Sequence, residues 1–217
     1  RPFPAEPAVE DQDVDGDAGD DGPVPQGFAA LRPALANRTL LLWVLAVVLC
    51  GLLDEVFVAV ASAWLEQAYG ADLRTRGLVL GLATAGGILG LAVLERALTR
   101  GVDPLRWLAG VSVASLLVLV GWLLAPSLLW SAVGLFVLEA LVVQLYPIAQ
   151  AQAFRAHPRT VVVEAVQSVF APLDLLLPLV VGVIADQWGL VPALLVLSLQ
   201  PVGIGLTHRV EDRSRPG

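Results

Sequence analysis

Six long apolar stretches, separated by short breaks that are polar or carry Gly and Pro, dominate the chain. They run over 39–65, 77–94, 105–124, 128–153, 161–186 and 190–207, with breaks at 66–76, 95–104, 125–127, 154–160 and 187–189. Each comes close to the ~20 residues that a helix needs to cross the ~30 Å hydrocarbon core of a bilayer. The pattern predicts an all-α, polytopic membrane protein, with six transmembrane helices in a domain spanning 37–208.

What flanks this domain reads differently. Residues 1–36 are rich in Pro, Gly, Asp and Ala and lack the apolar periodicity needed to fold, so a disordered acidic linker is expected there. Its Asp11-Gln12-Asp13-Val14-Asp15-Gly16-Asp17 run imitates the start of a calcium loop. The twelfth position, which should be a bidentate Glu, is Gly22. Residues 209–217 form a short tail. No methionine occurs anywhere, so a fragment of a longer protein is expected, and Arg1-Pro2-Phe3-Pro4 is not a signal peptide.

Composition sharpens this picture. The chain is 57% hydrophobic over 217 residues, above the ~45–50% of soluble domains. The net charge of −7 belongs to the linker, since residues 1–30 hold eight acids and one Arg, and the rest is balanced at 12 acids and 12 Arg. No basic surface suggests nucleic acid. Cys50 is the single cysteine and is read as a small buried hydrophobe.

Orientation follows from the arginines, which favour the cytoplasmic side. With the linker inside, ten of them (Arg32, Arg38, Arg96, Arg100, Arg106, Arg155, Arg159, Arg209, Arg213, Arg215) fall in inside segments and two, Arg74 and Arg76, fall outside. All six tryptophans lie near predicted helix ends, as expected of a ring that prefers the membrane interface.

An ionised side chain at the bilayer centre costs ~2.5–3.5 kcal/mol on insertion scales, so each one needs a reason. Here they are Asp54 and Glu55 in the first span, Glu139 in the fourth and Asp174 in the fifth. Helical spacing puts Glu139, Val143, Tyr146 and Gln150 on one stripe, Glu164, Gln167, Ser168, Ala171 and Asp174 on another, and Cys50, Asp54 and Phe57 on a third. Apart from Arg106 at the cytoplasmic edge of the third, the third and sixth spans carry no ionisable side chain, so the first, fourth and fifth are expected to line a polar path for a substrate or protons. Packing is the competing explanation, and Glu164 and Glu55 are the acids it suits best. Gly86 and Gly90 form a small-xxx-small pattern suited to close helix packing. Pro147, Pro172 and Pro178 interrupt the fourth and fifth spans, either near a binding site or as ordinary membrane-helix prolines. No metal-ligand cluster, nucleophile elbow or phosphate loop occurs, so neither an enzyme nor a cofactor is expected.

The chain resembles the C-terminal six-helix half of a major facilitator superfamily (MFS) transporter over about 30–210. Pro178-Leu-Val-Val-Gly182-Val-Ile-Ala-Asp186-Gln-Trp-Gly189 resembles the family's Gly-x-x-Ala-Asp-x-x-Gly between its last two helices. Gly90, Glu95, Arg96 and Arg100 resemble a degenerate copy of the cytoplasmic loop signature Gly-x-x-x-Asp-Arg-x-Gly-Arg-Arg, with altered spacing, Glu for Asp and no central Gly. The resemblance implies that the first and fourth spans put Asp54, Glu139 and Tyr146 at a substrate cavity, while the third and sixth lie outside. It further implies a secondary transporter working by alternating access, with a missing N-terminal six-helix half as partner. Residence in a bacterial inner membrane with both termini cytoplasmic, and proton-coupled export, fit that picture. The alternative is a non-transporting six-span scaffold or oligomeric subunit that dimerises through the second span.

An even number of spans has a direct consequence. A reporter that matures only in the cytoplasm, fused after Gly217, should be active, and a label confined to the outside should reach the 66–76 loop. An externally placed C-terminus would require an odd number of spans.

Overall fold

The computed structural model describes residues 28–51, 53 and 56–205. The chain order is α1 (Phe28–Leu35), α2 (Arg38–Cys50), α3 (Phe57–Tyr69), α4 (Leu73–Thr99), α5 (Pro104–Leu123), α6 (Leu128–Val142), α7 (Leu145–Arg155), α8 (Thr160–Trp188) and α9 (Leu190–Leu197). Among the described residues there is no strand. Four helices are long and apolar enough to cross a membrane: α4, α5, the α6–α7 pair taken as Leu128–Arg155, and α8. Arg38–Cys50 and Leu190–Gly205 are shorter apolar helices. An all-helical architecture of this kind is the signature of an integral membrane protein, because a helix satisfies its own backbone where no water is at hand.

Helix starts follow local capping chemistry. Asn37 accepts from the N–H groups of Thr39 and Leu40 at 3.1 and 3.3 Å. Asp103 does the same for Leu105 just before Pro104, a residue pre-set for the first helical turn. Asp72 accepts from Thr75 N–H at 2.9 Å; its bonds to Thr75 and the nearby Arg76 hold its carboxyl below the usual range. Gly70, at φ 63°, ends α3 in the left-handed conformation that costs glycine least. One tie closes each end of the bundle: Asn37 Nδ2 donates to Ala156 O at 3.2 Å, and Tyr69 OH donates to Ala125 O at 2.8 Å.

Several boundaries depart from the sequence expectation. Residues 28–35 are helical, not linker, because Leu31 and Ala34 are buried in the bundle. Residues 1–27 and 206–217 lie outside the described residues, and with them most of the linker and the whole tail. The second span begins at Leu73 and runs to Thr99, so Glu95 and Arg96 sit on a helix and Arg100 caps it. The first span leaves α-helical geometry after Cys50: Gly51 N–H closes back onto Val48 O at 3.2 Å, and Leu53 and Val56 lie in a π-helical turn. The fourth breaks at 143–144, because Pro147 has no N–H to offer the carbonyl four residues earlier. Pro201 acts alike in the sixth span, which carries a turn at Ser198. By contrast α8 runs unbroken through Pro172 and Pro178.

The core divides into two apolar clusters. One holds Leu53, Phe57, Ala61, Leu65, Trp122 and Leu135 with their neighbours, and the other holds Leu40, Trp43, Val44, Leu108, Leu145 and Val163 with theirs. Each broken span contributes to both clusters. Cys50 is the last member of α2 in one and Leu53 the first residue past the break in the other; Val142 and Leu145 stand in the same relation across the second break. Trp43 and Trp122 are buried in these clusters and do not face the membrane interface, whereas Trp130 and Trp188 are exposed. Trp122 packs edge-on against Phe57 at 5.4 Å, and its indole N–H donates to Ser131 Oγ at 2.7 Å.

The tightest seam is α4 on α6. A Cβ on Gly86 would run into the Phe136 carbonyl and one on Gly90 into the Ala140 carbonyl, whereas Gly87 has open space. Bare glycine lets the two backbones touch, and dispersion between them drives helix association in lipid. Gly90→Leu should therefore destabilise the detergent-solubilised protein by at least about 1–3 kcal/mol, the usual range for overpacking. Gly87→Ala should leave the unfolding midpoint unchanged or raise it. Equal midpoints for Gly90→Leu and the parent would show that the seam is loose.

Candidate functional site

Between the two clusters, at the level of both breaks, lies a cavity of about 620 Å³. Its wall takes Val47, Val48, Cys50 and Gly51 from α2 and its end, Leu91 from α4, Glu139 from α6, Tyr146 from α7, and Gln167 and Asp174 from α8. Neither α5 nor α9 contributes to it. Glu139 is half-buried and Tyr146 is 52% exposed. The break in the fourth span leaves Glu139, Val143 and Tyr146 on the same wall. Asp174 reaches the end of α2, so that a Cβ on Gly51 would lie 4.0 Å from its Oδ1. A cavity of this size suits a small organic molecule, since ligand pockets span ~300–1,000 Å³.

Other sequence candidates fall elsewhere. Asp54 and Glu55 lie outside the described residues. Gln150 is next to the wall: it accepts a hydrogen bond from Gln167 Nε2 at 2.8 Å, with the return contact at 3.5 Å. Phe57, expected on a stripe with Cys50, is in the core. Cys50 is buried and lines the cavity. Glu164 is exposed, and Ser168 Oγ donates to Glu164 O at 2.9 Å. Glu95, Arg96 and Arg100 are exposed at the far end of α4, away from the cavity and with no ion pair among the described residues. No group of three or more His, Cys, Asp or Glu able to hold a metal occurs among the described residues.

Sequence reasoning passed over two buried amides that serve the breaks. Gln144 sits at the second break. Its Nε2 donates to Ala140 O, and its Oε1 accepts Trp107 Nε1–H at 2.8 Å. Gln200 serves the first from 147 positions away, its Oε1 accepting the Leu53 N–H at 2.7 Å. A search for ionisable groups misses them because they are neutral. The available signal was a lone amide inside an apolar stretch, each within a few residues of a proline.

Compared with known proteins, the chain matches no family model, no curated protein and no solved structure.

The Gln150–Gln167 pair ties α7 to α8 beside the cavity. Gln150→Leu or Gln167→Leu alone should each lower stability by about 1–3 kcal/mol, because one partner is left unmade. The double substitution should recover part of that loss in the unfolding midpoint. Strict additivity of the two losses would show that the amides act independently.

Proposed function

We propose that this chain forms six transmembrane spans (38–69, 73–99, 104–123, 128–155, 160–188 and 190–205) and is one six-helix half of an MFS-type secondary transporter. It moves a small molecule by alternating access, with the cavity as its half of the path, protons as coupling ion and both termini cytoplasmic. The observation that carries this reading is the cavity itself, in which Glu139 and Asp174, from two different helices, share a wall with Tyr146 inside an otherwise apolar bundle. Carboxylates at that depth are costly unless they meet water, a proton or a cationic partner. Acidic walls without an Arg suit a cationic or neutral substrate.

α8 supports the need for a second half. The most apolar window of α8 is 6% buried within the bundle, against 33% to 39% in the other three long helices. Exposed Leu175, Leu176, Leu179 and Val180 flank Asp174, so α8 presents a large apolar surface that lipid or a second bundle must cover. The scaffold reading, by contrast, loses its dimer surface, because Gly86 and Gly90 are spent on α6 within the same chain.

In the complete protein reconstituted in vesicles, Glu139→Gln and Asp174→Asn should each lower proton-driven transport by about tenfold or more, the weight of a hydrogen bond to a charged group. Asp54→Asn belongs to the same series. Transport with an unchanged rate and pH dependence in all three would remove these carboxylates from the path.

A further inference from the structure

The first span changes from α-helical to π-helical geometry at the cavity wall, where Leu53 and Val56 lie, and something must hold that turn. A continuous apolar α-helix would bond every backbone group to itself, whereas a π-turn in a bilayer frees a group that water cannot reach. Here the Leu53 N–H, just past the break, donates to Gln200 Oε1 at 2.7 Å. Gln200 is fully buried, and its Nε2 has no hydrogen-bond partner among the described residues. Burying an amide with one end unmet is unfavourable, so the side chain is not there for general packing, which Leu would serve better. Its oxygen is the used end, and the bond fixes which way the amide faces.

Two further contacts show what the break positions. α3, which begins beyond it, packs on α9, the helix that continues to Gln200. On the near side of the break, Gly51 faces the Asp174 carboxylate and Cys50 lines the cavity. Close by, Gly203 lies one helical turn from Gln200, where a Cβ would come within 2.9 Å of Leu49 Cδ1. The sixth span is thus fitted to the broken stretch from both sides.

We propose that Gln200 is a positioning residue, a latch that holds the π-turn of the first span and so sets the cavity wall formed by Cys50 and Gly51. The latch stands on the geometry of the break, independently of what the cavity carries.

Cys50 provides a built-in reporter, because it is the only cysteine in the chain. In detergent-solubilised full chain, its labelling by a membrane-permeant maleimide should be slow, and Gln200→Leu should speed it about tenfold or more, the weight of an unmade buried donor. Gln200→Glu, as the uncharged acid that so buried a site favours, keeps an oxygen at the same reach and should label at the parent rate. Gln200→Asn keeps the amide but is one methylene too short, and should behave like Gln200→Leu. If Gln200→Leu does not fold, the contrast between Glu and Asn at this position decides alone. A parent-like or slower rate in the Leu or Asn variant, or equal acceleration in the Glu variant, overturns the latch. None of these outcomes depends on transport, so loss of the transporter reading would leave this result standing, and the reverse holds too.

Discussion

Backbone hydrogen bonding in an apolar medium is the constraint on which the rest of this structure depends. Every interruption of a helix at bilayer depth exposes groups that must find protein partners. Two of the apolar stretches, 38–69 and 128–155, leave α-helical geometry beside the cavity, and a buried glutamine bonds there in each. Gln144 serves its own strand of chain and borrows Trp107 from α5, while Gln200 reaches in from the sixth span. Where such an amide stands, a break can persist; where prolines lie in a helix without one, as at Pro172 and Pro178, α8 stays helical throughout.

The breaks in turn organise the packing. Because α2 and α3 belong to different apolar clusters, as do α6 and α7, the bundle has two cores with a seam at mid-depth. The cavity occupies that seam on the side facing α8. α4 and α6, which supply Leu91 and Glu139 to its wall, close tightly on each other through Gly86 and Gly90, so backbone contact locks the bundle directly beside a space large enough for a small molecule.

Much of this was legible in the sequence, for identifiable reasons. The four long helices follow from uninterrupted apolar length, which a bilayer rewards directly. Glu139, Tyr146 and Asp174, which all line the cavity, stand out in the sequence because ionisable or polar groups at helical spacing are conspicuous against an apolar background. Three features were not legible. The π-turn after Cys50 has no proline or other local punctuation beyond Gly51, and its Leu53 N–H bonds to a side chain 147 positions away. Helix α1 hides in a stretch of Pro, Gly and Ala, because its two buried contacts, Leu31 and Ala34, are tertiary. Trp43 and Trp122 sit near span ends as interfacial rings do, yet turn inward, and sequence position does not encode which way a side chain faces.

Residue type also sorts the polar groups by task. The amides and hydroxyls at depth are largely consumed in structure: Gln144 and Gln200 at the breaks, Ser131 on Trp122, Ser115 on the carbonyl of Val111. A neutral group can do this because one good hydrogen bond offsets most of its burial cost. A carboxylate cannot, since its charge needs solvent, a proton or a counter-charge as well. Glu139 and Asp174 lie where the bundle leaves space for one of those three, and the fully buried cores hold neither. Glu139 and Asp174 therefore line the cavity, while the amides and hydroxyls named above sit within the packing.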